Sequence, residues 1–277
     1  MLTAELHKLK RLRIAWILMS IMIAMELLMI IGLGYAARNS PEAQNMPAEE
    51  RQGAIMLTTF PSSIPPTLSF IASFGPLLAL ILASRLVGDE YALGTARQLV
   101  SMGLDRRRYI IIKIEGVIVA SLFLLTGSLL AGSIISIIFT LISGRPLALN
   151  MLTAAFLGKA IFSIGIAWFT LGFYSIFALF LATLTRSAAS AIATGLLVFF
   201  LEGNLIGLLA SKFSIVGRIA PYTIGQNINQ IIALIEQGKG VYGGLTHEAA
   251  RAFLTLTAWL MAFAVGSMEI FRRQQLS

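Results

Sequence analysis

Apolar residues of the chain gather in six long runs that few charged residues interrupt. A segment needs about 20 consecutive apolar residues to cross a bilayer core of about 30 Å, because an α-helix rises about 1.5 Å per residue. The six runs reach about that length or more and cover residues 14–34, 68–87, 110–142, 152–184, 188–210 and 252–270. The pattern predicts an all-α, polytopic membrane protein with six transmembrane helices in a single transmembrane domain, residues 14–277.

Two segments outside these runs have an amphipathic pattern. Residues 1–13 place leucines on one face and basic residues on another, which predicts a cytosolic interfacial helix along the inner leaflet. Residues 222–237 mix isoleucine with glutamine and asparagine, so we expect an outer helix within a re-entrant or interfacial segment, 211–247. The first run is too long for a cleaved signal peptide and contains Glu26, so we interpret it as a retained signal-anchor span.

The composition agrees with a membrane protein and excludes several kinds of chemistry. Of the 277 residues, 57% are hydrophobic and only 12% are charged, which is too few charges for an ordinary soluble domain. The chain has no cysteine, so disulfides, thiolate metal sites and cysteine nucleophiles are excluded. His7 and His247 are its only histidines and lie outside the apolar runs. Their positions argue against a haem site, a histidine-ligated zinc site or a serine–histidine hydrolase within the membrane.

Basic residues are concentrated on one side of the predicted membrane. The net charge is +8, and the segments on the side of the N-terminus carry 13 lysines and arginines, whereas the opposite side carries 7. Cytosolic segments are enriched in these residues, so both termini are predicted to be cytosolic. Orientation and contact with anionic membrane lipid explain the excess, and no nucleic-acid partner is expected. We expect a multi-pass protein of a cell membrane, either plasma or inner.

The connector between the second and third runs, residues 88–109, contains the most specific local signals. Gly94 can end the helix of the second span, and Thr95 can begin a short helix that Gly103 ends in turn. Asp105 is suited to cap the helix of the third span. The sequence therefore predicts a short helix held between two turns beneath the membrane.

This connector resembles the membrane subunits of ABC transporters of the type-2 exporter class. Those subunits have an E-x-x-x-G-T pattern, a basic position, a leucine–aliphatic–serine stretch, a turn, an arginine and a lysine between the second and third of six spans. The matching residues in this chain are Glu90, Gly94, Thr95, Arg97, Leu99, Val100, Ser101, Arg106 and Lys113. The N-terminal segment 5–13 is similar to the interfacial helix of that family. Gly103 departs from the pattern, because many relatives have proline there.

The resemblance implies a permease that forms an export path and needs two kinds of partner. One partner is a second permease subunit, either an identical or a similar chain. The other is an ATP-binding subunit that binds ATP and Mg²⁺, because this chain has no phosphate-binding loop. By itself the chain is then expected to be no enzyme and to hold no cofactor. The residues implied to couple it to the ATP-binding subunit are Asp89, Glu90, Gly94, Thr95, Arg97, Leu99, Ser101, Arg106 and Lys113. A simpler interpretation is that the basic residues of the connector only bind lipid headgroups.

Four polar residues within the predicted spans are candidates for the translocation path. A charge near the bilayer centre costs about 3 kcal/mol or more unless it is paired, protonated or hydrated. We expect Lys159 to meet either Glu26 or Glu202 in the outer half of the bundle, with Asn204 beside Glu202. These residues could line the path, or form an ion pair that only specifies helix packing, or Lys159 could reach out to the outer headgroups. In an alternative function, Glu26, Lys159 and Glu202 form the intramembrane relay of a secondary transporter or channel.

Overall fold

The computed structural model describes residues 7–9, 11–40, 47–103, 105–202, 206, 209, 212–237 and 246–274. Throughout these ranges the chain forms helices and turns and no β-strand, which confirms the all-α class. The helices are α1 Arg13–Asn39, α2 Ala48–Met56, α3 Ile64–Ala92, α4 Thr95–Ser101, α5 Arg106–Ile142, α6 Ala154–Thr185, α7 Ala188–Phe200, α8 Ser214–Ile219, α9 Ile224–Glu236 and α10 His247–Arg273. Short 3₁₀ turns at Leu149–Met151 and Ala220–Tyr222 precede α6 and α9.

Five of these helices, α1, α3, α5, α6 and α10, are long and apolar enough to cross a membrane. The fifth run, 188–210, supplies a further, shorter apolar helix over the part that the structure describes. Its described part forms α7, whose 13 residues cover only about 20 Å. Leu201 and Glu202 continue α7 as a π-helical turn, and Glu202 binds the beginning of α9. The length of an apolar run does not show where such a change in helix geometry occurs.

Helices α3 and α6 form the centre of the bundle. About two thirds of the apolar stretch of each is buried inside the protein, against a third or less for α1, α5 and α10. The pair packs along most of its length, with α5, α7, α9 and α10 around it, and α1 lies mainly against α5. A bilayer provides no hydrophobic driving force between helices, so this arrangement depends on close packing and on hydrogen bonds.

The two ends of the bundle carry different parts of the chain. At one end, Lys8 Nζ donates a hydrogen bond to Leu86 O in α3 (2.9 Å), and Gln274 Nε2 donates one to Thr183 O in α6 (2.7 Å). At the other end, Arg38 Nη2 donates to Ser143 Oγ (2.8 Å). The N-terminal segment and the end of α10 therefore lie on the same side, as the distribution of basic residues predicts. We refer to this side as the cytosolic end and to the opposite side as the outer end.

A close backbone contact that depends on a glycine joins α3 to the beginning of α7. A Cβ atom added at Gly88 would lie 2.4 Å from the backbone nitrogen of Ala188, whereas one added at Gly32 in α1 would meet nothing within 4 Å. We predict that Gly88→Ala lowers the free energy of unfolding by about 1–3 kcal/mol, because the two backbones must separate. Gly32→Ala is the matched control and should be neutral or stabilising by up to about 1 kcal/mol. Thermal unfolding of the detergent-solubilised chain measures both, and equal effects would contradict the close packing.

Candidate functional site

The connector at the cytosolic end forms a short helix between two glycine turns. After α3, Gly94 adopts a φ of +69°, and Gly103, after α4, adopts a φ of +92°. Only glycine enters this region without strain, so the two glycines determine where the chain reverses. Asp105 then caps α5, because its side chain accepts a hydrogen bond from the Arg108 N–H (3.3 Å). The local turns and the cap that the sequence predicts are all present.

One face of α4 packs on a cluster that we call the platform, formed by Tyr109 and Ile110 of α5 and Phe271 of α10. Ala96 of α4 is fully buried there, and Leu99 is half-buried against the same residues. The rings of Tyr109 and Phe271 stack with their centroids 4.7 Å apart. The connector helix is therefore held by side chains of two membrane-spanning helices as well as by its own turns.

Beside the platform, the buried carboxylate of Glu90 holds together three parts of the chain. Its Oε1 accepts hydrogen bonds from Lys8 Nζ (2.6 Å) and Lys113 Nζ (2.5 Å), and its Oε2 accepts one from the Tyr109 hydroxyl (2.7 Å). Glu90 and Lys113 are almost completely buried, whereas Lys8 is partly exposed. We call these four residues the Glu90 cluster. A buried carboxylate needs such partners, because desolvation of a charge is costly.

A second set of hydrogen bonds ties α5 to the end of α10. Arg106 Nη1 donates to the backbone oxygens of Arg272 (2.7 Å) and Gln274 (2.9 Å). The side chain of Gln274 in turn reaches Thr183 of α6. Arg106, which the sequence pattern includes among the coupling residues, thus also fixes the relative position of α5 and α10.

The remaining connector residues have more local contacts. Asp89 forms an ion pair with Arg85 one turn earlier in α3 (3.2 Å), and the Ser101 hydroxyl donates to Gln98 O within α4 (2.8 Å). Thr95 is half-buried at the beginning of α4. The backbone of Arg97 belongs to α4, but its side chain lies outside the described part of the structure.

Two exposed apolar residues beside α4 were missed by sequence reasoning. Leu93 precedes the Gly94 turn and is 76% exposed, and Met102 precedes Gly103 and is 75% exposed. Both lie at the cytosolic end, outside the apolar stretches of α3 and α5. The available signal was a large apolar residue immediately before each turn glycine, in a connector otherwise rich in charges.

The structure does not bring the intramembrane charges together as the sequence predicted. Lys159 is exposed near the beginning of α6 and forms no ion pair with Glu26 or Glu202, all three being described residues. The direction in which each side chain leaves its helix decides whether the charges meet, and Lys159 lies at the periphery of the bundle. From there its ammonium can reach the outer headgroups. Asn204 lies outside the described residues.

Glu26 and Glu202 instead have separate partners. Glu26 is completely buried between α1 and α5, where its Oε1 accepts a hydrogen bond from the Ser128 hydroxyl. Its Oε2 lies close to Gly132 and has no hydrogen-bond partner among the described residues. Glu202 accepts a hydrogen bond from the Gly225 N–H at the beginning of α9 (3.2 Å). Both glutamates therefore connect helices, and neither forms part of a relay with Lys159.

An all-α bundle with five long apolar helices and a helical connector packed under one end defines a polytopic membrane protein. Residues 1–202 match the model of the ABC-2 family transporter proteins, and the chain belongs to this family. It is a permease of the ABC-transporter kind. The match includes the connector and ends at Glu202, before α9 and α10. A comparison with curated proteins gives no match.

The Glu90 cluster generates a stability prediction. Glu90→Gln removes the charge shared by two lysines and should lower the free energy of unfolding by about 3–5 kcal/mol, because a buried ion pair is strongly destabilised when one partner is lost. Asp89→Asn is the matched control, since Asp89 pairs with Arg85 at the surface and should cost less than about 1 kcal/mol. Denaturant unfolding measures both.

A double-mutant cycle distinguishes loss of the contacts in the Glu90 cluster from a general destabilisation of α3. Glu90→Gln combined with Lys113→Met should destabilise by less than the sum of the single substitutions, because the second removes a cation that the first leaves without its carboxylate. Strict additivity, or an equal cost for Asp89→Asn, would show that Glu90 does not hold this end together.

Proposed function

We propose that this permease couples ATP turnover on a separate ATP-binding subunit to the export of a substrate, and that α4 is the docking element. Family membership supports the permease role. The observation that carries the docking role is a connector helix fixed to the bundle on one face, with Leu93 and Met102 exposed at its two ends. Exposed apolar patches, especially those surrounded by polar residues, mark sites of contact with proteins or membranes.

The contacts of α4 make it suitable for transmitting movement. Its Ala96 and Leu99 rest on the platform, which belongs to α5 and α10, and the Gly94 turn joins it directly to α3. A displacement of α4 by a partner is therefore passed to three membrane-spanning helices together. The Glu90 cluster adds the N-terminal segment through Lys8. Rigid-body movement of packed helices is a common way in which binding at one site changes another part of a protein.

The expected contact has an apolar centre and a polar border. Leu93 and Met102 are separated by the seven residues of α4, a helix about 10 Å long, so one concave surface of a partner can receive both. Burial of each side chain would contribute about 1.5–3 kcal/mol. Gln98 and Ser101 of α4 are exposed between them and can supply hydrogen bonds. Asp105, Arg107 and Arg108 are also exposed and can interact with the partner or with headgroups.

The catalytic chemistry belongs to the proposed partner. ATP and Mg²⁺ would bind on the ATP-binding subunit, because the sequence of this chain contains no phosphate-binding loop. A second permease subunit, identical or similar, would complete the path across the membrane. Exposed apolar side chains on α1, α5 and α10 provide faces for that subunit or for lipid, among them Leu28, Leu130 and Val265.

The docking proposal predicts that polar substitutions at the two exposed residues disrupt the complex. Leu93→Ser with Met102→Ser should lower recovery of the ATP-binding subunit with the purified permease at least tenfold, because two apolar contacts are lost together. The transport-linked ATPase activity should fall in parallel. Unfolding of the isolated permease should be unchanged, since neither residue packs against its own bundle.

Leu149→Ser is the matched control for these variants. Leu149 is also an exposed leucine, 57% exposed, but it lies in the 3₁₀ turn that precedes α6 at the outer end. Its substitution should leave recovery of the partner unchanged. Full recovery and full ATPase coupling in the Leu93 and Met102 variant would refute the docking role of α4. Weakened attachment to anionic vesicles, with the complex intact, would show that these residues contact lipid instead.

A further inference from the structure

An elongated groove opens at the outer end of the bundle, between α1, α3 and α9. It has a volume of about 440 Å³, within the range of about 300–1,000 Å³ that is usual for small-molecule sites. Met29 of α1, Phe70 and Phe74 of α3 and Ile235 of α9 contribute to its apolar walls. We call it the outer groove. Its shape and lining suit an organic molecule with a large apolar surface.

Aromatic rings and one carboxylate give the outer groove its chemical character. The rings of Phe70 and Phe74 lie one helical turn apart, with their centroids 4.8 Å from each other, and both are partly exposed. Glu236 is the single ionisable residue among those described as lining the groove. Its Oε1 accepts a hydrogen bond from the Ser69 hydroxyl (3.0 Å), which holds the carboxylate against α3.

The position of Glu236 in α9 adds to the negative potential. Glu236 is the last residue of α9, and the last turn of that helix contains no basic residue. The carbonyl groups at a helix C-terminus carry a partial negative charge of about half an electron. The carboxylate and the helix end therefore act in the same direction, and both attract a cation.

A smaller cavity adjoins the outer groove on the side of the bundle centre. We call it the inner cavity. It has a volume of about 160 Å³, shares Ser73 with the groove and is also bounded by α3 and α9. Tyr174 and Phe199 provide aromatic walls, and Asn229 provides an amide. No lysine, arginine or histidine lines either space among the described residues.

The inner cavity does not offer an anion site. Gly225 lines it near the beginning of α9, where a helix would normally attract negative charge. The Gly225 N–H, however, already donates to the Glu202 carboxylate. An anionic ligand would therefore not find this N–H available.

We propose that the outer groove and the adjoining cavity bind a lipophilic organic cation, whose positive group lies at Glu236 and whose apolar part lies against Phe70 and Phe74. Aromatic faces attract cations as well as apolar groups, so the same walls serve both parts of such a molecule. The inference rests on the proposed export function, since it assigns a class of cargo to the permease. It differs from that function in needing no contact at the cytosolic end.

The test uses two probes of matched size and opposite charge. The full chain, purified in lipid nanodiscs, is titrated with tetraphenylphosphonium and with tetraphenylborate, and uptake by empty nanodiscs is subtracted. Saturable binding of the cation and none of the anion is expected. Glu236→Gln should weaken cation binding about fivefold, as for an ion pair at the surface, and Phe70→Ala should weaken it further.

Glu248→Gln is the matched control. Glu248 is an exposed acidic residue in the first turn of α10, outside the linings of both spaces, and its substitution should leave binding unchanged.

Several results would overturn the proposal. They are equal binding of the two probes, or equal effects of Glu236→Gln and Glu248→Gln. Since the chain has no cysteine, Phe74→Cys introduces a unique thiol, and efficient disulfide cross-linking between two permeases would show that a second copy fills the groove. Binding of the cation without recovery of an ATP-binding subunit would contradict the export function alone. Recovery of that subunit without cation binding would contradict only the cargo class.

Discussion

The carboxylate of Glu90 lies where the N-terminal segment, α3 and α5 meet, and the arrangement of the cytosolic end depends on it. Two lysines from distant parts of the sequence share its Oε1, and a tyrosine hydroxyl occupies its Oε2. The same tyrosine belongs to the platform, against which α4 packs. Loss of this carboxylate would leave two cations close together and would remove the acceptor that Glu90 provides for the tyrosine hydroxyl. The connector helix is thus fixed through an electrostatic contact that α4 does not itself make.

Helix α3 joins this cytosolic cluster to the outer groove. It has 29 residues, a length of about 43 Å, and carries Glu90 near one end and Phe70 near the other. Gly88 brings its backbone against the beginning of α7, which limits movement at the cytosolic end. Pro76, within the same helix, lacks an N–H for the carbonyl of Ala72 and lies at the inner cavity. The backbone hydrogen bond that Pro76 cannot make therefore lies near the middle of α3, between the connector and the outer groove.

The features that the sequence predicted well are those determined by a few neighbouring residues. The turns at Gly94 and Gly103 and the cap at Asp105 depend on backbone conformation and on one short hydrogen bond, so residue type and spacing are sufficient. The partners of Glu90 were not predictable in this way, because Lys8 lies 82 positions away and the burial of Lys113 depends on the packing of three helices. The pairing of Lys159 with a glutamate was wrong for a related reason. Two residues at similar depth meet only if their helices turn them towards each other.

The acidic residues of the bundle differ in how far their charge is already compensated, and this difference separates structural from ligand-binding roles. Glu90 forms ion pairs with the ammonium groups of two lysines. Glu202 accepts a hydrogen bond from an N–H group at the positive end of α9. Glu236 accepts a hydrogen bond from a serine hydroxyl and lies at the negative end of the same helix, where the helix dipole destabilises its negative charge. A cation at Glu90 would have to displace a lysine, whereas a cation at Glu236 would reduce an existing repulsion. The same helix α9 therefore satisfies one carboxylate at its beginning and favours a bound cation at its end.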